Sequence, residues 1–414
     1  MKLLVLLVLG VLSCAVRNAL AACTAPLTRK EIRSASVEER KAFFNAVQKL
    51  QDNGKIQEFA TIHNNNSNLI HSNTVFLAFH RWFVKLFENA LREVDPNVAM
   101  LYWDWTLDSQ HPETSVLFTS DYCGGNGQGP DFCVQDGPFA NWAMKAMEPH
   151  CLKRQFNQGN TIVPFYSYEL LTYTFNESPS YANLTRNIEG GCHGYVHIGI
   201  GGDMNEMYAA NDLFFFLHHA MIDMIYYQWQ MVDESRFQDF GGIMADGSVG
   251  TLDSPLPVYS DIKVGQILDP RNSDLLCYTY ELSGTAKAIH VAETYARNAA
   301  AKNNMSAGNQ KRGLIDNLVS DIQGIVDDVG NVVTDVVDTV GNITAELLGA
   351  AKGIAEALGI DGDIDLSILK PEDLKLRVPP PPSGSWIDMT HMDRHFVNDY
   401  HQKVVEAAKK YNDN

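Results

Sequence analysis

Two stretches of this chain lay a continuous apolar stripe along a helix, and both carry histidine inside the stripe. "VFLAFHRWFVKLFENAL", residues 75–91, spaces Val75, Phe76, Phe79, Phe83, Leu86, Phe87 and Leu91 at helical intervals around His80, until Asp95 and Pro96 end the run. The stretch from about Asp212 to Met231 repeats the pattern around His218 and His219. A third helix is predicted from Ser36, which stands in capping-box register with Glu39 and precedes Phe43, Phe44, Val47 and Leu50 on one face. The fold expected is mainly α, with a helical core built around imidazole.

Thirteen histidines are present, and their context separates them. His193 and His197, in "GGCHGYVHIGI", are four apart and share one face of a helix. His391 and His395 have the same spacing, but Thr390, Asp393 and Arg394 make theirs a solvated face. His63 and His71 precede His80 in "IHNNNSNLIHSNTVFLAFH", and His219 follows His197 by 22 residues. Two groups of three emerge, each drawing at least one member from an apolar helix. A lone histidine on such a helix usually belongs to the core; six in two similar triads point to metal. Imidazole-only donors suit copper, zinc, iron or nickel. Six of them, three plus three in a bundle core, fit a pair of metals sharing a small bridging ligand.

At these residues the chain resembles the tyrosinase family of type 3 copper proteins, and most nearly its short fungal catechol oxidases. Phe76, His80 and Arg81 match the family's F-x-x-x-H-R block, nine residues after His71, and "YWDW" at 102–105 is similar to a family marker. His193 and His197, with Phe215, His218, His219 and Asp223, match H-x-x-x-H and the later F-x-x-H-H-x-x-x-D. The resemblance covers roughly residues 27 to 232. It implies a central four-helix bundle with long disulfide-pinned loops, holding two copper ions: one on His63, His71 and His80, the other on His193, His197 and His219.

The resemblance also assigns supporting roles. His218 turns about 100° away from His219 on the helix and is expected behind the ligands, Asp223 is expected to orient an imidazole N–H, and Phe215 is expected to face the copper. In the family a glutamate before the first copper B ligand and an asparagine after it hold a water that deprotonates monophenols. Glu189 matches the first, and Gly194 replaces the second. The implied activity is therefore oxidation of small o-diphenols to o-quinones with dioxygen, with little or no hydroxylation of monophenols. The alternative is a hemocyanin-like dioxygen carrier. Some relatives bond a cysteine to the second copper A histidine, but Leu69 stands at that place here.

Composition sets limits on partners and compartment. Hydrophobic residues at 45% and charged ones at 20% describe an ordinary globular chain. A formal net charge of -18 repels phosphate backbones, so nucleic acid is excluded as a partner. Lys2, the apolar run Leu3 to Leu12 and the Ala19-Leu20-Ala21 exit read as a signal peptide rather than a transmembrane span, and secretion is expected. With Cys14 gone, six cysteines suggest three disulfides, Cys123 with Cys133 being the expected first pair. Sequons at Asn65, Asn176, Asn183, Asn304 and Asn342 allow glycosylation.

The domain organisation expected is a leader at 1–21, the dicopper domain at 22–300, an acidic segment with a proline-rich linker at 301–378, and a helix at 379–414 packed on the core. Within the acidic segment "DDVGNVVTDVV" is followed by "DTVGNITAELL", an eleven-residue repeat that lays one apolar stripe along a helix. With Lys311-Arg312 upstream, a removable lid is one role for it. The last helix is expected from about Met389 to Tyr411.

Overall fold

The computed structural model describes residues 23–145, 147–271, 275–282 and 375–412. The leader, the Lys311-Arg312 pair and the acidic repeat lie outside the described residues.

Helix α1 (Val37–Asp52) starts as its sequence dictates, with Ser36 and Glu39 exchanging side-chain and backbone hydrogen bonds, and it buries Phe43, Phe44, Val47 and Leu50. Helices α2 (Lys55–Asn65) and α3 (Phe76–Val94) follow, the latter ending before Asp95 and Pro96. Beyond a loop-rich region come α4 (Tyr168–Asn176) and α5 (Tyr181–Ile188). Next stand α6 (Gly194–Ile200) and α7 (Leu213–Met231). Every residue of α7 from Leu213 to Gln230 is buried, as suits a helix apolar on nearly all sides. The four helices α2, α3, α6 and α7 form the central bundle and contribute four of the six triad histidines; His71 sits just past the short turn Ser67–Ile70, and His193 immediately precedes α6.

A five-residue π-helical turn, Glu189–His193, joins α5 to α6, with Gly191 at a non-helical φ of -115° and ψ of -116°. Such a turn carries an extra residue, and it re-aims the side chains on either side of it.

One small parallel sheet closes the bundle, with β1 (Leu27–Glu31) between β2 (Leu101–Tyr102) and β3 (Tyr278–Tyr280). In register, Leu27 faces Tyr278 and Lys30 faces Leu101. This brings the fully buried Arg29 onto Glu88 of α3 through two bonds of 3.1 and 3.0 Å, and onto Asp223 of α7 at 3.1 Å. Tyr280 accepts from Arg29 at 2.9 Å and donates to Asp223 at 2.6 Å. A buried charge network thus ties the sheet to both apolar helices.

Two expectations need correction. Cys133 pairs with Cys151 and Cys23 with Cys277, while Cys123 and Cys192 are buried thiols, so the expected pair of Cys123 with Cys133 does not form. Cys133 instead meets the antiparallel pairing of Ala143–Met144 with His150–Cys151, a contact of residues that sequence spacing does not reveal. The C-terminal helix is two: α8 (Gly384–Met389) and α9 (Arg394–Asn412), separated by a turn in which His391 takes a φ of 58°. Among the described residues no helix is long and apolar enough to cross a membrane.

Candidate metal centre

Both triads converge. His63, His71 and His80 form one group and His193, His197, His218 and His219 another, each with one ring nitrogen apiece within 4.8 Å of the others. The two groups touch: the rings of His80 and His219 stack with centroids 4.3 Å apart, and those of His71 and His193 lie 6.1 Å apart. None of the seven is more than 4% exposed.

Backbone carbonyls fix which nitrogen each ring offers. His80 donates Nδ1–H to Phe76 O one turn earlier on α3 at 2.8 Å. His63 donates to Met207 O and His197 to Met204 O, both at 2.6 Å. Burial lowers the pKa of these rings, to about 3 for His63 and His197, so they are neutral. A neutral imidazole whose Nδ1 carries the proton presents a bare lone pair at Nε2. Yet His63 Nε2 lies 3.2 Å from His80 Nε2 and 3.2 Å from His71 Nε2. In the second group His197 Nε2 lies 3.4 Å from His219 Nε2, and both nitrogens of His193 lack a partner. Lone pairs do not hydrogen-bond one another, and orphaned buried nitrogens are costly. Cations between the rings resolve both problems, so the donor set fits a metal in each group.

Of the neighbours, Asp223 and Glu189 make contacts other than those expected of them, while Phe215 and His218 pack on the histidines. Asp223 touches no imidazole. Its carboxylate is taken by Arg81 at 2.5 Å, Arg29, Tyr278 and Tyr280, all brought from elsewhere in the chain. The ring of His218 stacks on His193 at 5.5 Å and meets His197 edge-on at 5.0 Å. Phe215 packs on His219 at 4.2 Å and edge-on against His63 at 4.9 Å, touching both groups. Glu189 Oε1 accepts from His71 Nδ1 at 3.0 Å and from Ser72 N–H at 2.8 Å, so a residue beside the second group orients a ring of the first. Burial pushes its pKa up to about 8, against the pull of the Ser72 amide.

One residue had no sequence signal at all. Trp386 of α8 is 4% exposed and lies over His197, ring centroids 5.4 Å apart, and His193 at 6.3 Å. It fits because residue 194 is glycine: a Cβ there would stand 2.8 Å from the indole Nε1. At the far end of α8, Thr390 O accepts from the Ser72 hydroxyl at 2.5 Å, next to His71. The segment therefore reaches from the second group to the loop that carries His71.

Comparison with known proteins agrees with this geometry. The common central domain of tyrosinase matches residues 53–232. A tyrosinase from Streptomyces antibioticus is 34% identical over 265 residues, 58% of this chain and 96% of that protein. One from Aspergillus flavus is also 34% identical, over 62% of this chain and 80% of that protein. A mutant polyphenol oxidase from Thermothelomyces thermophila shares the fold, with a TM-score of 0.54 at 22% identity, covering 62% of this chain and 89% of that one. The chain, with its two converging histidine groups, belongs to the tyrosinase family of type 3 copper proteins.

Proposed function

We propose that the protein is an exported copper oxidase that converts small o-diphenols to o-quinones with dioxygen. The reading is carried by the bare Nε2 of His63 facing those of His71 and His80 at 3.2 Å each, which ask for a metal rather than a proton. His63, His71 and His80 would hold one copper and His193, His197 and His219 the other. When bound, the pair supplies redox chemistry toward dioxygen that side chains cannot provide.

The remaining groups bind, orient and exclude water. The Phe76, Met204 and Met207 carbonyls lock three imidazoles as Nδ1–H tautomers, and Glu189 does the same for His71. Phe215 fills the space between the groups with an apolar ring. With Oε1 of Glu189 bound to His71 and Ser72, and with Gly194 bringing no polar side chain, this chain's own residues favour diphenols over monophenols. Two disulfides among the described residues support an oxidising compartment, in line with the leader.

The test is copper content followed by oxygen uptake on purified protein. Two coppers per chain, rapid oxygen consumption with catechol and little with tyrosine are expected. Reversible oxygen binding without catechol turnover would instead mean a carrier, and rapid tyrosine hydroxylation would overturn the diphenol preference.

A further inference from the structure

Both halves of the histidine cluster lean on one loop, residues 201–212. Met204 O holds His197 and Met207 O holds His63, each through Nδ1 at 2.6 Å. Met204, Ala209 and Ala210 anchor the loop in the core, and residues 150–154 hold it at two further points. At one end His150 Nε2 reaches Asp203 at 3.0 and 3.1 Å to the two carboxylate oxygens. At the other, Arg154 makes a two-point contact with Asp212 at 2.6 and 2.9 Å, just before α7 begins. Between them the Asp203 amide donates to Lys153 O at 3.0 Å, and Gly202, at a φ of 57°, approaches so closely that a Cβ would stand 2.3 Å from that oxygen. The Cys133–Cys151 disulfide ties down the residue next to His150.

The partners of His150 define its charge. Nδ1 faces the Glu148 carbonyl at 2.6 Å, and Nε2 faces the Asp203 carboxylate. With Asp203 ionised both are acceptors, so both ring nitrogens donate and the ring is then an imidazolium. We propose that His150 is a positioning residue: its ion pair with Asp203 sets the Met204 and Met207 carbonyls, which in turn orient His197 and His63, so one clamp outside the cluster governs metal retention in both halves. The metal part of this rests on the dicopper reading; the orientation of the rings does not.

The bond to Asp203 raises the pKa of His150, burial and Lys153 oppose it, and the Glu148 carbonyl assists. Glu206 and Asp212 add negative charge around Asp203, and the Tyr208 ring packs on His150 at 5.7 Å. A raised histidine pKa makes the clamp complete below the ordinary histidine range and loses it as pH rises through the raised value.

Two measurements test this on wild type, His150→Ala and His150→Lys. In metal-free protein labelled with 15N-histidine, solvent exchange of the Nδ1–H of His63 and His197 is expected to quicken about tenfold in the alanine variant and to return toward wild type in the lysine variant. His80, bonded within its own helix, is the internal control and stays unchanged. In copper-loaded protein, loss of both coppers to a chelator is expected to quicken on the order of tenfold. In wild type the exchange rates of His63 and His197 rise with pH more steeply than that of His80, and in the lysine variant they follow His80. Equal exchange of His63 and His197 in wild type and the alanine variant would overturn the proposal. Should that variant not fold, a wild-type exchange rate for these two rings no more pH-sensitive than that of His80 would overturn it as well. A wild-type chain that takes up no copper would end the dicopper reading and leave the exchange measurement decisive.

Discussion

Gly194 and Trp386, 192 residues apart, share one space: the indole Nε1 stands 2.8 Å from where a Cβ on residue 194 would be. The pair makes the glycine a requirement of the cover. Trp386→Ala is expected to loosen α8 and raise kcat/KM for catechol about tenfold, because a substrate binds only the fraction of molecules that are open. Gly194→Asn alone forces overpacking, at about 1–3 kcal/mol, and is expected to lower the melting temperature. Only the double variant accommodates the asparagine, and tyrosine hydroxylation is expected there first. Unchanged catechol kinetics in Trp386→Ala would show that α8 does not limit entry.

Asp223→Asn tests the separation between the charge network and the histidines. Arg29 and Arg81 lose a buried counter-charge, and breaking one side of such a pair costs about 3–5 kcal/mol. Stability in urea should fall accordingly. Copper bound per folded molecule should not change, since Asp223 contacts no imidazole. Loss of copper at full stability would contradict this arrangement.

Glu88 gives the acid limb of stability. Burial alone would raise its pKa, but Arg29 and Lys85 override that and bring it from the ordinary 4.5 down to about 2. A carboxylate depressed in the folded state contributes fully above the unfolded value and loses its contribution as pH falls toward the folded one. Calorimetric melting temperature should therefore drop between about pH 4.5 and 2, and more shallowly in Glu88→Gln.

The cysteines offer a direct count. In protein prepared without residues 1–21, the native chain should expose no reactive thiol, and the denatured, unreduced chain should titrate two, Cys123 and Cys192. Burial raises the pKa of both thiols, which keeps them inert in the native fold. A count of zero after denaturation would mean a third disulfide.

What could be read from the sequence was what periodicity records. His80 and His219 announce themselves because each interrupts an apolar stripe, and Ser36 with Glu39 because capping is local. The fate of Asp223 was not legible: one turn beyond His219 it has the spacing of an imidazole partner, but two arginines and two tyrosines arrive from β1, α3 and β3 to claim it. Trp386 was invisible for the same reason, since its neighbour Gly194 is a missing side chain rather than a signal. The pairing of Cys133 with Cys151 likewise depends on a two-residue strand pairing that no pattern of Gly and Pro encodes.

The bond between Cys23 and Cys277 spans 254 positions and encloses every histidine of both groups. In the chain-entropy picture a loop of that size restrains the unfolded state by about 5 kcal/mol. Topologically the molecule is a covalent ring with a tail: the ring holds the donor atoms, and Trp386 belongs to the tail. A cut in the tail leaves the ring closed, so the cover can be severed, exchanged or reshaped by mutation while the circle that gathers the imidazoles keeps its connectivity.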